Sequence, residues 1–286
     1  MNPYQNFVSD FVRLVAEGKN LPLGGFPPRG HSAPPFNAPV ALIFSPHPDD
    51  ECIIGGLALR LLRQAKWRVI NVAVTLGSNT ERRQFRLAEL KNACDWLGFE
   101  LEMTAPNGLE KIRPETRAND PARWNDATKV IAELLAKHSP RVIFFPHEHD
   151  GNSAHVGTHF LIMDALKTLP ENFQCALVET EFWASMASPN LMVESSVNDA
   201  ADLIAALSFH VGEVKRNPYH LRLPAWMQDN VRRGAERVGG QGGVAPDFQL
   251  ATLYKARQWK KGRAKNLFDG GRQVGIKDNP AEIFAK

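Results

Sequence analysis

Cysteine is scarce in this 286-residue chain: Cys52, Cys94 and Cys175 are all there are. They lie far apart and form no CxxC pair, which excludes a zinc ribbon and a thioredoxin-like motif. The odd count argues against a disulfide framework and suits a reducing compartment. No run approaches the ~18 consecutive apolar residues of a membrane span. The first twenty residues carry acids and lack the apolar core of a signal peptide, so the expectation is a soluble cytoplasmic protein. No excess of charge is present either. A formal net charge of +3 predicts no nucleic-acid partner. Finally, no Gly-x-Gly-x-x-Gly follows the first apolar strand, where a dinucleotide fingerprint belongs.

What is present is ample apolar material, 43% of residues, with 23% charged. Tyr4, Phe7, Val8, Phe11, Val12 and Val15 recur at helical spacing. Six prolines between residues 21 and 39 preclude regular structure and predict an arm that wraps over the domain. Beyond it, short apolar runs (40–44, 69–75, 141–145 and 175–178) alternate with helical patterns (54–64, 82–97, 124–138 and 155–166). This alternation predicts an α/β, Rossmann-like fold with a mainly parallel sheet flanked by helices. Ligands of such sheets bind at the carboxyl ends of the strands. Three segments are expected: an N-terminal helix and proline-rich arm (1–37), the α/β core (38–215), and a C-terminal extension packed on the core (216–286). A basic run (Lys255, Arg257, Lys260, Lys261, Arg263, Lys265) reads as a solvated face or as a patch for an anion on the substrate.

Two clusters carry chemistry. Ser45-Pro-His-Pro-Asp-Asp-Glu51 ends the first strand, and capping explains one aspartate there but not His47, Asp49, Asp50 and Glu51 together. His47 and Asp50, three apart across a tight turn, can reach one metal ion. Asp49 diverges from Asp50 and is free to act as a general base. After the third strand comes Pro146-His-Glu-His-Asp-Gly-Asn-Ser-Ala-His155, with His159 one turn on, which offers a further ligand.

Pro-His-Pro-Asp-Asp-Glu after an apolar strand, followed by Gly55-Gly56, resembles the PIG-L (LmbE-like) deacetylases. The resemblance implies a Rossmann-like zinc hydrolase that removes an acetyl group from an N-acetylated amino sugar or sugar conjugate. It places one Zn2+ per chain on His47, Asp50 and His155, with Asp49 as base; another divalent metal remains open. This chain departs from the family pattern at Asn152 and Ala154, where the family often has His and Asp. Asn152 can donate to an oxyanion but cannot be a general acid. His147, His149 and His210 are the alternative acids. Arg86-Leu-Ala-Glu-Leu90 with Leu97-Gly98 resembles the family's Arg-x-x-Glu-Leu helix, which places Arg86 at the sugar. Arg82 on the same face and His149 complete the candidate substrate-binding set. Two other readings stay open: a zinc amidase acting on a non-sugar acyl amine, and a non-catalytic sugar or nucleotide binder. A small-molecule substrate, no membrane partner and an open question of homo-oligomerisation complete the expectations.

Overall fold

The computed structural model describes residues 2–285. The chain runs through α1 (Gln5–Gly18), β1 (Val40–Ser45), α2 (Asp50–Ile53), α3 (Gly56–Arg63), β2 (Arg68–Ala73), α4 (Arg83–Leu97), β3 (Glu100–Met103), α5 (Pro114–Asn119), α6 (Pro121–His138) and β4 (Val142–Pro146). It continues through α7 (Ser153–Thr168), β5 (Cys175–Thr180), β6 (Leu191–Glu194), α8 (Val197–Ser208), α9 (Val211–Arg216), α10 (Leu223–Arg237), β7 (Ala251–Lys260), β8 (Arg263–Asn266) and β9 (Arg272–Val274).

The sheet has the order β3-β2-β1-β4-β5-β7-β6-β9, with β8 hairpinned onto β7. Strands β1 to β5 pair in parallel, in the order 3-2-1-4-5. This is the mainly parallel α/β sheet expected, and both of its faces are covered. Ala41 and Ile43 face a core shared with α3, α4, α8 and α10. Leu42 and Ile143 face a second core built from α6 and α7. Burial on both sides explains why these strands read as unbroken apolar runs. The direction of winding reverses between β1 and β4, and that is where such sheets open a crevice at the strand ends.

One feature departs from the expected layout. The basic run forms the β7–β8 hairpin, and β7 is inserted antiparallel between β5 and β6 instead of lying on the core as an extension. The hairpin turn therefore stands beside Cys175, at the start of β5 and at the opposite end of the strands from the crevice. That position rules the turn out as an anion patch for substrate. The expected N-terminal helix is α1, and its Phe7, Val8, Phe11 and Val12 are exposed. The proline-rich arm does lie across the domain. Phe26 packs against Trp96 and Phe209, and Arg29 bonds Asp202 at 2.6 Å.

Gly55 and Gly56 let α3 meet β7 and β6 closely. A Cβ on Gly55, which has φ +80°, would lie 2.1 Å from the Thr252 hydroxyl; one on Gly56 would lie 2.4 Å from that of Ser195. One turn on, the fully buried Arg60 donates to the carbonyls of Glu194, Gly275 and Asp278 at 2.8–2.9 Å, tying the C-terminal segment to the first half of the domain. Arg60→Met leaves these acceptors unpaired in the interior, and a loss of about 3 kcal/mol is expected. Urea unfolding checks this; an unshifted midpoint would show that the segment is anchored by other contacts.

Candidate metal centre and base

Pro46 and Pro48 stop β1, and the next residues turn sharply into α2. Asp49 sits at that turn with φ +119°, a left-handed conformation that is strained for a residue with a Cβ. Two contacts hold it there. Its N–H donates to Glu51 Oε2 at 2.9 Å, and its Oδ2 accepts from the Tyr219 hydroxyl at 2.6 Å. Beneath it, Glu51 Oε1 accepts from His210 Nε2 at 2.7 Å and from the Cys52 thiol at 3.2 Å, all three residues being fully buried. Burial works against the His210 charge, and Glu51 more than offsets it, so the His210 pKa stands above the ordinary value.

The turn aims His47 and Asp50 at the end of β4. There Asn152 caps α7, its Oδ1 accepting from the Ala154 N–H at 2.8 Å, and the first turn of the helix presents His155. His47 Nδ1 lies 3.2 Å from His155 Nε2, Asp50 Oδ2 lies 3.3 Å from the same His155 nitrogen, and Asp50 Oδ2 and His47 Nδ1 are 3.5 Å apart. A tetrahedral zinc with bonds of about 2.0–2.1 Å to nitrogen and oxygen separates neighbouring ligand atoms by about 3.3–3.4 Å. The triangle matches that spacing, and two imidazoles with one carboxylate are a donor set that suits zinc. These three residues thus fit a divalent ion. His155 and Asp50 are buried and His47 is partly exposed, so the triangle opens to solvent on the His47 side.

The surroundings support the ligands. Asp150 Oδ1 approaches His155 Nδ1 to 3.3 Å, and Asp150 is itself fixed by the N–H groups of Asn152 and Trp183 at 3.1 and 2.9 Å. A carboxylate behind a ligand histidine sets its tautomer and orientation. Phe182 stands edge-on to the His155 ring at 4.8 Å. Burial opposes ionisation of Asp50, but His155 and His47 outweigh it and hold that carboxyl well below the usual range. Asp49 behaves differently. Burial, with the Asp50 charge added, pushes it up to about 6, against the pull of His210, Arg86 and Tyr219. Two adjacent carboxyls are thereby separated into an ionised ligand and a proton acceptor that titrates near neutrality.

The remaining candidates have partners of their own. Arg86 donates to the Pro48 carbonyl at 2.7 Å and lies 3.8 Å from Asp49 Oδ2, so it braces the turn. Arg82 pairs with Glu213 at 2.8 Å. His149 stands in solvent, its side chain 82% exposed, and is not part of the centre. His147 donates to the Ala184 carbonyl at 2.9 Å, and His159 to that of Pro146 at 3.0 Å, with a pKa lowered by burial to about 4. The roles of Asp150 and Tyr219 were not assigned from the sequence, and His210, offered there as an alternative acid, instead pairs with Glu51. Asp150 had a signal, lying five residues before a candidate ligand just after a strand. The partners of Tyr219 and His210 had no local signal, because both residues return to the site after an excursion of more than 150 residues.

Comparison with known proteins accords with this geometry. Residues 42–166 match the family described as PIG-L: GlcNAc-PI de-N-acetylase. No curated protein matches the chain. Among solved structures, the conserved protein TT1542 from Thermus thermophilus is 21% identical with a TM-score of 0.55, over 75% of this chain and 92% of that one. GalB, the 4-carboxy-2-hydroxymuconate hydratase from Pseudomonas putida, is 16% identical with a TM-score of 0.56, over 76% of this chain and 95% of that one. The N,N'-diacetylchitobiose deacetylase from Pyrococcus horikoshii is 16% identical with a TM-score of 0.52, over 92% of this chain and 96% of that one. At these identities the likenesses establish a shared fold, and residues 42–166 are the part of the chain similar to the PIG-L family.

Proposed function

We propose that this protein is a metal-dependent deacetylase that hydrolyses the acetamide of an N-acetylated amino sugar or sugar conjugate. The observation that carries this reading is the near-equilateral set of His47 Nδ1, Asp50 Oδ2 and His155 Nε2 with the Asp49 carboxyl beside it. The PIG-L match and the fold shared with a chitobiose deacetylase support the substrate class proposed. A divalent ion on these three ligands, zinc by its donor set, would acidify water and draw charge from the acyl oxygen.

The chain's own groups do the rest. Tyr219 fixes Asp49 Oδ2, leaving Oδ1 to take the proton of the attacking water. Asn152 lines the cleft beside His47, and since its Oδ1 is held by the helix cap, its NH2 is the donor left for the acyl oxygen as negative charge develops there. With His147 and His210 turned onto other partners and His149 in solvent, the proton returns from Asp49 to the leaving amine. Trp183, 55% exposed and edge-on to Tyr219 at 6.1 Å, offers an apolar surface for a sugar ring.

Asp49→Asn is expected to lower acetate release from N-acetylglucosamine conjugates ~100- to 10,000-fold with metal content unchanged, and His155→Ala to lose the metal itself. Metal analysis and acetate assay on the same samples check both; full turnover in Asp49→Asn would sink the base assignment. Asp150→Asn keeps the side-chain size but weakens the hold on His155, and metal affinity should fall ~10- to 100-fold in a chelator competition. Tyr219→Phe removes a hydrogen bond that favours ionised Asp49. The Asp49 pKa then rises, and the acidic limb of kcat/KM, where activity is lost as pH falls through that pKa, should move to higher pH. A limb that stays in place would mean that Tyr219 does not act through Asp49.

A further inference from the structure

A cleft of about 610 Å³ opens beside His47, a size that accommodates a sugar conjugate. Its charged lining is one-sided. Arg83, Lys111 and Arg113 face it against a single acid, Glu110, and that acid accepts from Arg83 at 2.6 Å. Among the described residues, Lys111 and Arg113 have no ion-pair partner within 4.0 Å; Asp120 and Glu110 feel the Lys111 charge only at longer range.

The backbone that carries the two cations is braced. Gly108 bridges to Thr75, and the Leu109 N–H donates to the Val74 carbonyl at 2.8 Å, docking the segment on the end of β2. On the other side Gly157 of α7 admits the Arg113 backbone so closely that a Cβ would lie 2.5 Å from its Cα. Lys111 itself takes φ +55°, a strained conformation in a segment otherwise fixed at both ends. The first turn of α7 lines the same cleft and adds partial positive charge. A concave wall of one sign attracts and orients a ligand of the other.

We propose that the substrate carries an anionic group, phosphate or carboxylate, near its acylated amine, and that Lys111 and Arg113 seat it. This rests on the deacetylase reading and narrows it to acidic amino-sugar conjugates. The test compares N-acetylglucosamine 1-phosphate, the N-acetylglucosaminide of glycolic acid and the uncharged methyl N-acetylglucosaminide, on the metal-loaded wild type and on the Lys111→Ala/Arg113→Ala variant. The wild type should favour an anionic substrate by about tenfold or more in kcat/KM, mostly through KM, with the advantage shrinking as salt rises. In the variant the ratio of anionic to neutral substrate should fall towards one. Preference for the phosphate or for the carboxylate identifies the anion. A wild-type ratio near one, or a ratio unchanged in the variant, overturns the proposal. If no substrate releases acetate, the deacetylase reading fails separately. Binding of glucosamine 1-phosphate followed by phosphorus NMR then decides the subsite: affinity lost in the variant supports it, and equal affinity refutes it.

Discussion

A slip of one residue between β1 and β4 would move one strand end about 3.3 Å past the other and turn every side chain to the opposite face of the sheet. The triangle of His47, Asp50 and His155 tolerates no such movement, since its atoms come from two strand ends 108 residues apart and agree to a few tenths of an ångström. The register Ala41↔Val142, Leu42↔Ile143, Ile43↔Phe144 is therefore the constraint on which the centre depends. Packing enforces it. Both faces of both strands are buried, so any slip would bring residues fitted to one core into the other.

Around that register the structure divides its labour. The parallel half of the sheet supplies the candidate ligands His47, Asp50 and His155. The β5–β6 connection and the segment after α8 supply what surrounds them: Phe182 and Trp183 on one hand, His210 and Tyr219 on the other. The same fold is found in a hydratase and in a deacetylase, so the sheet alone does not choose the reaction. What the sheet leaves open is local: the strained backbone of Asp49 is held by the buried Glu51–His210 pair and by Tyr219.

Local pattern made much of this legible. The apolar runs marked the parallel strands, and the residues directly after two of them marked the three side chains that converge, because a strand end and its first helical turn are contiguous in sequence. What escaped was long-range. Ala251–Lys260 reads locally as a basic stretch, yet its early residues Ala251 to Tyr254 are buried and its later ones pair across β5 and β8. Arg257 escapes the basic face by meeting Glu179 on the neighbouring strand, a partner invisible to any window of sequence. Arg82 and Arg86 share a helix face as the spacing says, but spacing cannot tell that one reaches Glu213 and the other the Pro48 carbonyl.

The place of β7 also bears on how the chain is made. Strand β6 joins the sheet only through β7 and β9, and β5 presents an open edge until β7 arrives. During synthesis the ribosome must therefore deliver residue 260 before the middle of the sheet can close, although both halves of the metal triangle have emerged about a hundred residues earlier. The nascent domain passes through a stage with its ligands in hand and its central seam unsewn, and a strand that appears late is the one that joins the two sides.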